Sequence, residues 1–260
     1  MNNISPLRYP GGKTKASTIL HQFLIQKYNI NSFDNIISPF FGGGSFEFFL
    51  QNKYNINIIA NDIFLPLYNF WFSCKFYKFD LCSKLYPLID NINKNKFLYF
   101  KNNIYYQNNY INSAYMYFII NRCSFSGSTL SGGYSYESSK NRFTKSSIDK
   151  INNLDLSNFI IHNYDFQDFL DIYDSDNNFI FLDPPYYLDN NKLYGNNGDL
   201  HQNFDHIKLF NNLLFKNNWM MTYNNCKFIK ELYNNYHIIE TNWNYGMNKS
   251  KKSSELIIFG

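Results

Sequence analysis

Short apolar runs closed by turn residues recur along the chain, at 35–38, 56–60, 159–162, 178–182, 219–223, 236–241 and 255–259. They lack the strict alternation of a strand with one wet face, and read as strands of an α/β sheet covered on both faces. Segments with helical spacing lie between several of them, at 14–27, 45–51, 166–173, 206–216 and 227–236. Strand and helix alternate, which predicts a mostly parallel sheet of the Rossmann-like kind. The last two strands are joined by the short polar stretch 242–254, with Gly246 and several lysines. A parallel crossover needs a dozen or more residues, usually helical, so this pair is expected to be an antiparallel hairpin. The region 70–155 breaks the alternation. It is rich in Tyr, Phe, Asn and Lys, reads mainly helical up to Arg122, then becomes a Ser/Gly-rich loop through Ser147. It is expected to be an inserted subdomain, leaving 1–69 and 156–260 as the sheet domain.

At 260 residues the chain suits one large domain, or one domain with an insertion. Charged residues are only 17% and aromatics 20%, and the accompanying wealth of Asn, Lys and Ile points to AT-rich codons rather than to function. No apolar run approaches the ~18 residues that span a bilayer, and the first thirty residues carry no apolar signal stretch, so an intracellular, cytoplasmic protein is expected. The four cysteines form no C-x-x-C pair and read as reduced thiols. A net charge of +4 mildly favours a polyanionic partner.

Two segments carry chemistry. Ser38-Pro39-Phe40-Phe41-Gly42-Gly43-Gly44-Ser45 ends one strand and opens a helix, where glycine lets the backbone turn sharply and approach a ligand. Asp62 closes the next strand, twenty residues after Gly42, the spacing of an acid that binds ribose hydroxyls. The third glycine of a dinucleotide fingerprint would fall on Glu47, whose carboxylate would face pyrophosphate, so a nucleoside without phosphates fits better, and S-adenosylmethionine is such a ligand. The second segment is Asp183-Pro184-Pro185-Tyr186, directly after 178–182. Two prolines cannot continue a central strand and make a rigid turn at the carboxyl end of the sheet, where open α/β folds place ligands. An acceptor such as Asp183, with the Pro184 carbonyl, would hold the hydrogens of an exocyclic amine and turn its lone pair toward a methyl group. Tyr186 would stack on the base.

These residues, in this order, resemble the alpha-class, Dam-like DNA adenine-N6 methyltransferases. Arg8-Tyr9-Pro10-Gly11-Gly12-Lys13 is similar to that family's amino-terminal cofactor motif, followed by the glycine motif at 39–44 and Asn61-Asp62. Asn121-Arg122-Cys123-Ser124-Phe125-Ser126-Gly127 is similar to its target-recognition signature. Asp165, Asp183-Pro184-Pro185-Tyr186, Phe204-Asp205-His206 and Glu255-Leu256-Ile257-Ile258 complete the series. The resemblance implies a class I methyltransferase sheet with a target-recognition insert. It implies S-adenosylmethionine bound by Tyr9, Lys13, Phe40, Gly42, Gly44, Asp62 and Asp183, with Asp165 on its adenine ring. It also implies double-stranded DNA as partner, met by Asn121 and Ser126 of the signature. Tyr9-Pro10 stands where many members have Trp-Ala, and Ser38 where an acidic residue often precedes Pro-Phe.

A base in a duplex must be flipped out before it can react. Arg122, Lys140, Arg142 and Lys145 are candidate phosphate or base contacts, as are the lysines of 248–252. Cytosine carbon-5 methylation is disfavoured, since its cysteine nucleophile follows a proline and none of the four cysteines here does. Amine methylation needs no metal, and the five histidines show no ligand spacing. The alternatives are an amino-methyltransferase acting on another base or on RNA, and a catalytically silent DNA-binding paralogue. Restriction-modification, repair marking and viral self-marking would share this core, and a monomer is the default expectation.

Overall fold

The structure of the protein, a computed structural model, describes residues 3–9, 11–187, 204–244 and 252–260. Pro10, His201 and the run from Asn248 to Lys251 lie outside the described residues.

Seven strands form one sheet: β1 (Asn35–Ser38), β2 (Asn57–Asn61), β3 (Phe159–His162), β4 (Asn178–Leu182), β5 (Trp219–Asn224), β6 (His237–Asn244) and β7 (Lys252–Phe259). Their spatial order is β3-β2-β1-β4-β5-β7-β6, parallel except where β7 runs antiparallel to both β5 and β6. The sheet is the mostly parallel, Rossmann-like one expected, with the expected terminal hairpin. The chain steps outward from β1 through β2 to β3, then returns to lay β4 against the other side of β1. The strand order therefore reverses between β1 and β4, and the crevice at their carboxyl ends is the place where such sheets bind ligands.

Successive strand residues point to opposite faces and so feed two cores. Ile36, Ile58, Phe179, Phe181 and Ile257 join one core with helices α1 (Ser17–Lys27), α2 (Ser45–Tyr54) and α3 (Leu65–Phe76). Ile37, Ile59, Ile180, Leu182 and Ile258 join the other, beneath α9 (Phe166–Ile172), α10 (His206–Leu213) and α11 (Lys227–Leu232). The region between β2 and β3 packs on the first core through α4 (Lys78–Leu85), α5 (Lys94–Asn103), α6 (Tyr110–Cys123), α7 (Tyr136–Asn141) and α8 (Lys145–Asn152). Helix α3 runs straight across position 70, and its Phe70 stacks parallel on Phe118 of α6 with ring centroids 5.7 Å apart.

Three expectations need correction. The Ser/Gly-rich stretch is not one loop: Ser135 and Thr144 each accept a hydrogen bond from a backbone N–H three residues on and start α7 and α8. Helices α10 and α11 stop at Leu213 and Leu232, short of the expected 216 and 236. Strands β6 and β7 reach further toward their connection than the apolar runs do, because an antiparallel ladder can extend through polar residues once its register is fixed. All four cysteines are free. Among the described residues, no helix is long and apolar enough to cross a membrane.

Candidate active site

The crevice beyond β1 and β4 opens into a cavity of about 610 Å³. Its walls carry Tyr9, Lys13, Phe40, Gly42, Gly44, Asp62, Asp165, Asp183, Pro184 and Tyr186, so every cofactor and catalytic candidate read from the sequence meets in one space.

The loop after β1 turns through left-handed conformations at Gly42 (φ +50°) and Gly44 (φ +65°). A Cβ on Gly44 would stand 2.5 Å from the Phe41 ring, so only glycine fits. The loop is pinned from two sides: Trp71 Nε1 of α3 donates to the Gly42 carbonyl at 2.9 Å, and the Gly42 N–H donates to Asp62 Oδ2 at 2.9 Å. Asp62 Oδ1 accepts the Phe64 N–H at 3.0 Å. Burial lifts the Asp62 carboxyl to about 6, against the downward pull of those two N–H groups. Asn61, at the end of β2, donates to the Pro39 and Tyr164 carbonyls at 3.1 Å and ties this loop to the one after β3.

Asp183 follows the last residue of β4. Lys13 Nζ, 3% exposed, reaches both of its oxygens, at 2.7 and 2.8 Å, and stands 5.0 Å from the Tyr186 ring centroid. Thr222 Oγ1 on β5 donates to Asp183 Oδ1 at 2.7 Å. At the other end of the cavity Asp165 caps α9 and accepts from Lys208 Nζ at 3.0 Å. Beside it the rings of Phe40, Phe166 and Phe204 meet with centroids 5.5 to 5.6 Å apart, an apolar slot flanked by a carboxylate.

Several residues of this site were not singled out in the sequence. Glu47, in the first turn of α2, is 2% exposed and accepts from Ser38 Oγ at 2.6 Å. Burial raises its carboxyl to about 7, with the Asp183 carboxylate adding to the rise and Ser38 and Lys13 opposing it. Ser38 thus holds an acid in the cavity wall. Glu47 stood out in the sequence only as a break in the glycine pattern. Thr222, Lys208, Tyr117 on α6 and Thr129 had no local signal; the last two also line the cavity.

The expected DNA contacts lie outside the cavity lining. Asn121 is fully buried: its Oδ1 accepts the Arg8 N–H at 3.0 Å, and its Nδ2 donates to the Arg8 carbonyl at 2.6 Å and to Thr129 Oγ1 at 3.2 Å. It braces the amino-terminal segment against α6, with no amide group left facing solvent. Arg122 donates to the Arg142 and Pro6 carbonyls at 2.7 and 3.2 Å, and burial with the nearby Arg8 and Arg142 charges lowers its guanidinium to about 10. Ser126 is exposed at φ +53°, Arg142 is exposed, and Lys140 and Lys145 pair with Asp90 and Asp149 at 2.9 and 3.1 Å.

A seven-stranded sheet of this order, with a glycine loop after its first strand and Asp-Pro-Pro-Tyr after its fourth, defines a Rossmann-like methyltransferase. Over residues 9–247 the chain matches the family of D12 class N6 adenine-specific DNA methyltransferases, and it belongs to that family. These are enzymes that methylate adenine in DNA. A search of curated proteins finds no matching relative.

Proposed function

We propose that the protein takes a methyl group from S-adenosylmethionine and places it on N6 of an adenine flipped out of duplex DNA at a specific sequence. The observation that carries this reading is the Asp183 carboxylate, held by Lys13 and Thr222 in the cavity wall beside Tyr186. Adenine's amine is planar and its lone pair is delocalised into the ring. Asp183 and the Pro184 carbonyl accept its two hydrogens and draw the nitrogen out of that plane, and Tyr186 stacks on the base.

The cavity suits the donor. Asp62 takes the ribose hydroxyls, the Phe40, Phe166 and Phe204 slot takes the adenine with Asp165 at its edge, and Lys13 and Glu47 face the charged amino-acid end. When bound, the donor supplies an electrophilic methyl on a sulfonium that leaves as a neutral thioether. A buried carboxyl such as Glu47 suits a cationic ligand and disfavours a pyrophosphate. Residues 70–155 act as the target-recognition subdomain, with Ser126, Lys140, Arg142 and Lys145 at the DNA, while Asn121 and Arg122 brace the segments around them. The enzyme works inside the cell as a monomer, in restriction-modification or a related marking system.

Transfer of a labelled methyl from S-adenosylmethionine to unmodified duplex DNA, with nucleoside digestion and mass spectrometry, tests the reading. N6-methyladenine is expected. Label on RNA or on cytosine, or none with cofactor binding intact, overturns it.

A further inference from the structure

Thr222 is the polar residue inside an otherwise apolar stretch of β5, Trp219-Met220-Met221-Thr222-Tyr223, and it is fully buried. A hydroxyl there is costly unless it is bonded. The register explains its partner: Leu182 on β4 pairs with Met221 on β5, so the next residues of these parallel strands, Asp183 and Thr222, emerge side by side. The resulting bond, 2.7 Å from Thr222 Oγ1 to Asp183 Oδ1, is a short charge-assisted one.

Its effect differs from that of Lys13. The Lys13 ammonium is nearly equidistant from the two carboxylate oxygens, at 2.7 and 2.8 Å. It therefore draws on both oxygens alike and leaves them equivalent. Thr222 holds one oxygen only, and so fixes the plane. Among the described residues, Oδ1 then accepts two donors, while Oδ2 accepts only Lys13 and keeps a lone pair in a set direction. We infer that Thr222 is a positioning residue for methyl transfer, setting the plane of the Asp183 carboxylate so that Oδ2 accepts the hydrogen of the target amine. This rests on the reading of Asp183 as the amine acceptor.

Four proteins test it: wild type, Thr222→Val, Thr222→Ser and Thr222→Ala, compared in single-turnover methylation of duplex DNA, with cofactor and DNA affinities measured separately. Val keeps the shape and loses the hydroxyl, and Ser and Ala differ from each other in the hydroxyl alone. The rate constant is expected to fall about tenfold to hundredfold in Val and Ala, as for a reacting group misplaced by a fraction of an ångström. Ser should stay within about threefold of wild type, and both affinities should hold within about threefold in all three variants. A Val or Ala variant with an unchanged rate, or a Ser variant as slow as Ala, overturns the inference. If Val does not fold, the Ser and Ala pair decides. A wild type that leaves adenine unmethylated sinks the underlying reading and this inference together, whereas an active wild type with a fully active Ala variant sinks this inference alone.

Discussion

The cavity and the outer surface of the region between β2 and β3 are built on opposite terms. On the sheet side each acid is buried or bonded: Asp183 to Lys13 and Thr222, Asp62 to two backbone N–H groups, Glu47 to Ser38. Between β2 and β3, outside the cavity lining, the cations named as DNA contacts sit at the surface in ion pairs, Lys140 with Asp90 and Lys145 with Asp149, or in Arg122 donate to backbone carbonyls. The cavity is preorganised, and two of its acids, Asp62 and Glu47, lie above their ordinary carboxyl range. The exposed Lys140 and Lys145 exchange easily between their carboxylates, water and phosphate. Chemistry on an amine needs fixed acceptors; gripping a polyanion needs only available charge.

The comparison breaks most visibly at Asp183. Asp183→Ala should lower single-turnover methyl transfer by about 10³-fold or more and leave DNA affinity within a few-fold. Activity within tenfold of wild type would put the amine acceptor elsewhere.

Glu47 tests how costly the sheet-side wall is. Its carboxyl lies at about 7 in the fold, above the ordinary 4.5. Between those values the native state holds a proton that the unfolded chain has released, so this group's contribution to stability declines as pH rises through that window. Glu47→Gln removes the decline and should gain on wild type by up to about 3 kcal/mol between pH 4 and pH 8 in the absence of ligand. Urea unfolding at the two pH values reads the difference; an equal offset at both would mean that the acid does not change charge in this window.

Asn121 links the amino-terminal segment to α6. Asn121→Ala strands the partly buried Arg8 N–H and carbonyl and should cost roughly 2 kcal/mol in thermal or urea unfolding. Cofactor affinity should weaken as well, because Arg8 leads into Tyr9, whose ring lies over the glycine loop.

The smallest effects belong to the surface of α7 and α8. Lys140→Ala and Lys145→Ala should barely move the melting temperature, since exposed pairs contribute little. Each should lower the slope of log affinity for DNA against log salt by about 1 if its lysine meets a phosphate. An unchanged slope would remove that residue from the interface.

Much of the fold was legible because its signals are local. Apolar runs, glycine turns and prolines act on near neighbours, so all seven strands and the final hairpin could be read directly. The pocket residues carried by strand ends followed with them, since a motif that ends a strand is brought to the sheet's carboxyl edge by the strand itself. The helices α7 and α8 escaped notice because serine reads as loop until its hydroxyl is known to cap a helix.

The sequence by itself thus determined the α/β class, the order of the motifs and the residues that converge on the cavity, all of which depend on spacing along the chain. Only the tertiary structure decided what each of those residues rests on: Thr222 beneath Asp183 from 39 positions away, Lys208 beside Asp165 from 43, Asn121 clasping Arg8 across 113, and Ser38 joined to Glu47 across one glycine turn. Such pairs are set by strand register and helix packing, which bring together groups whose separation in sequence carries no trace of their contact.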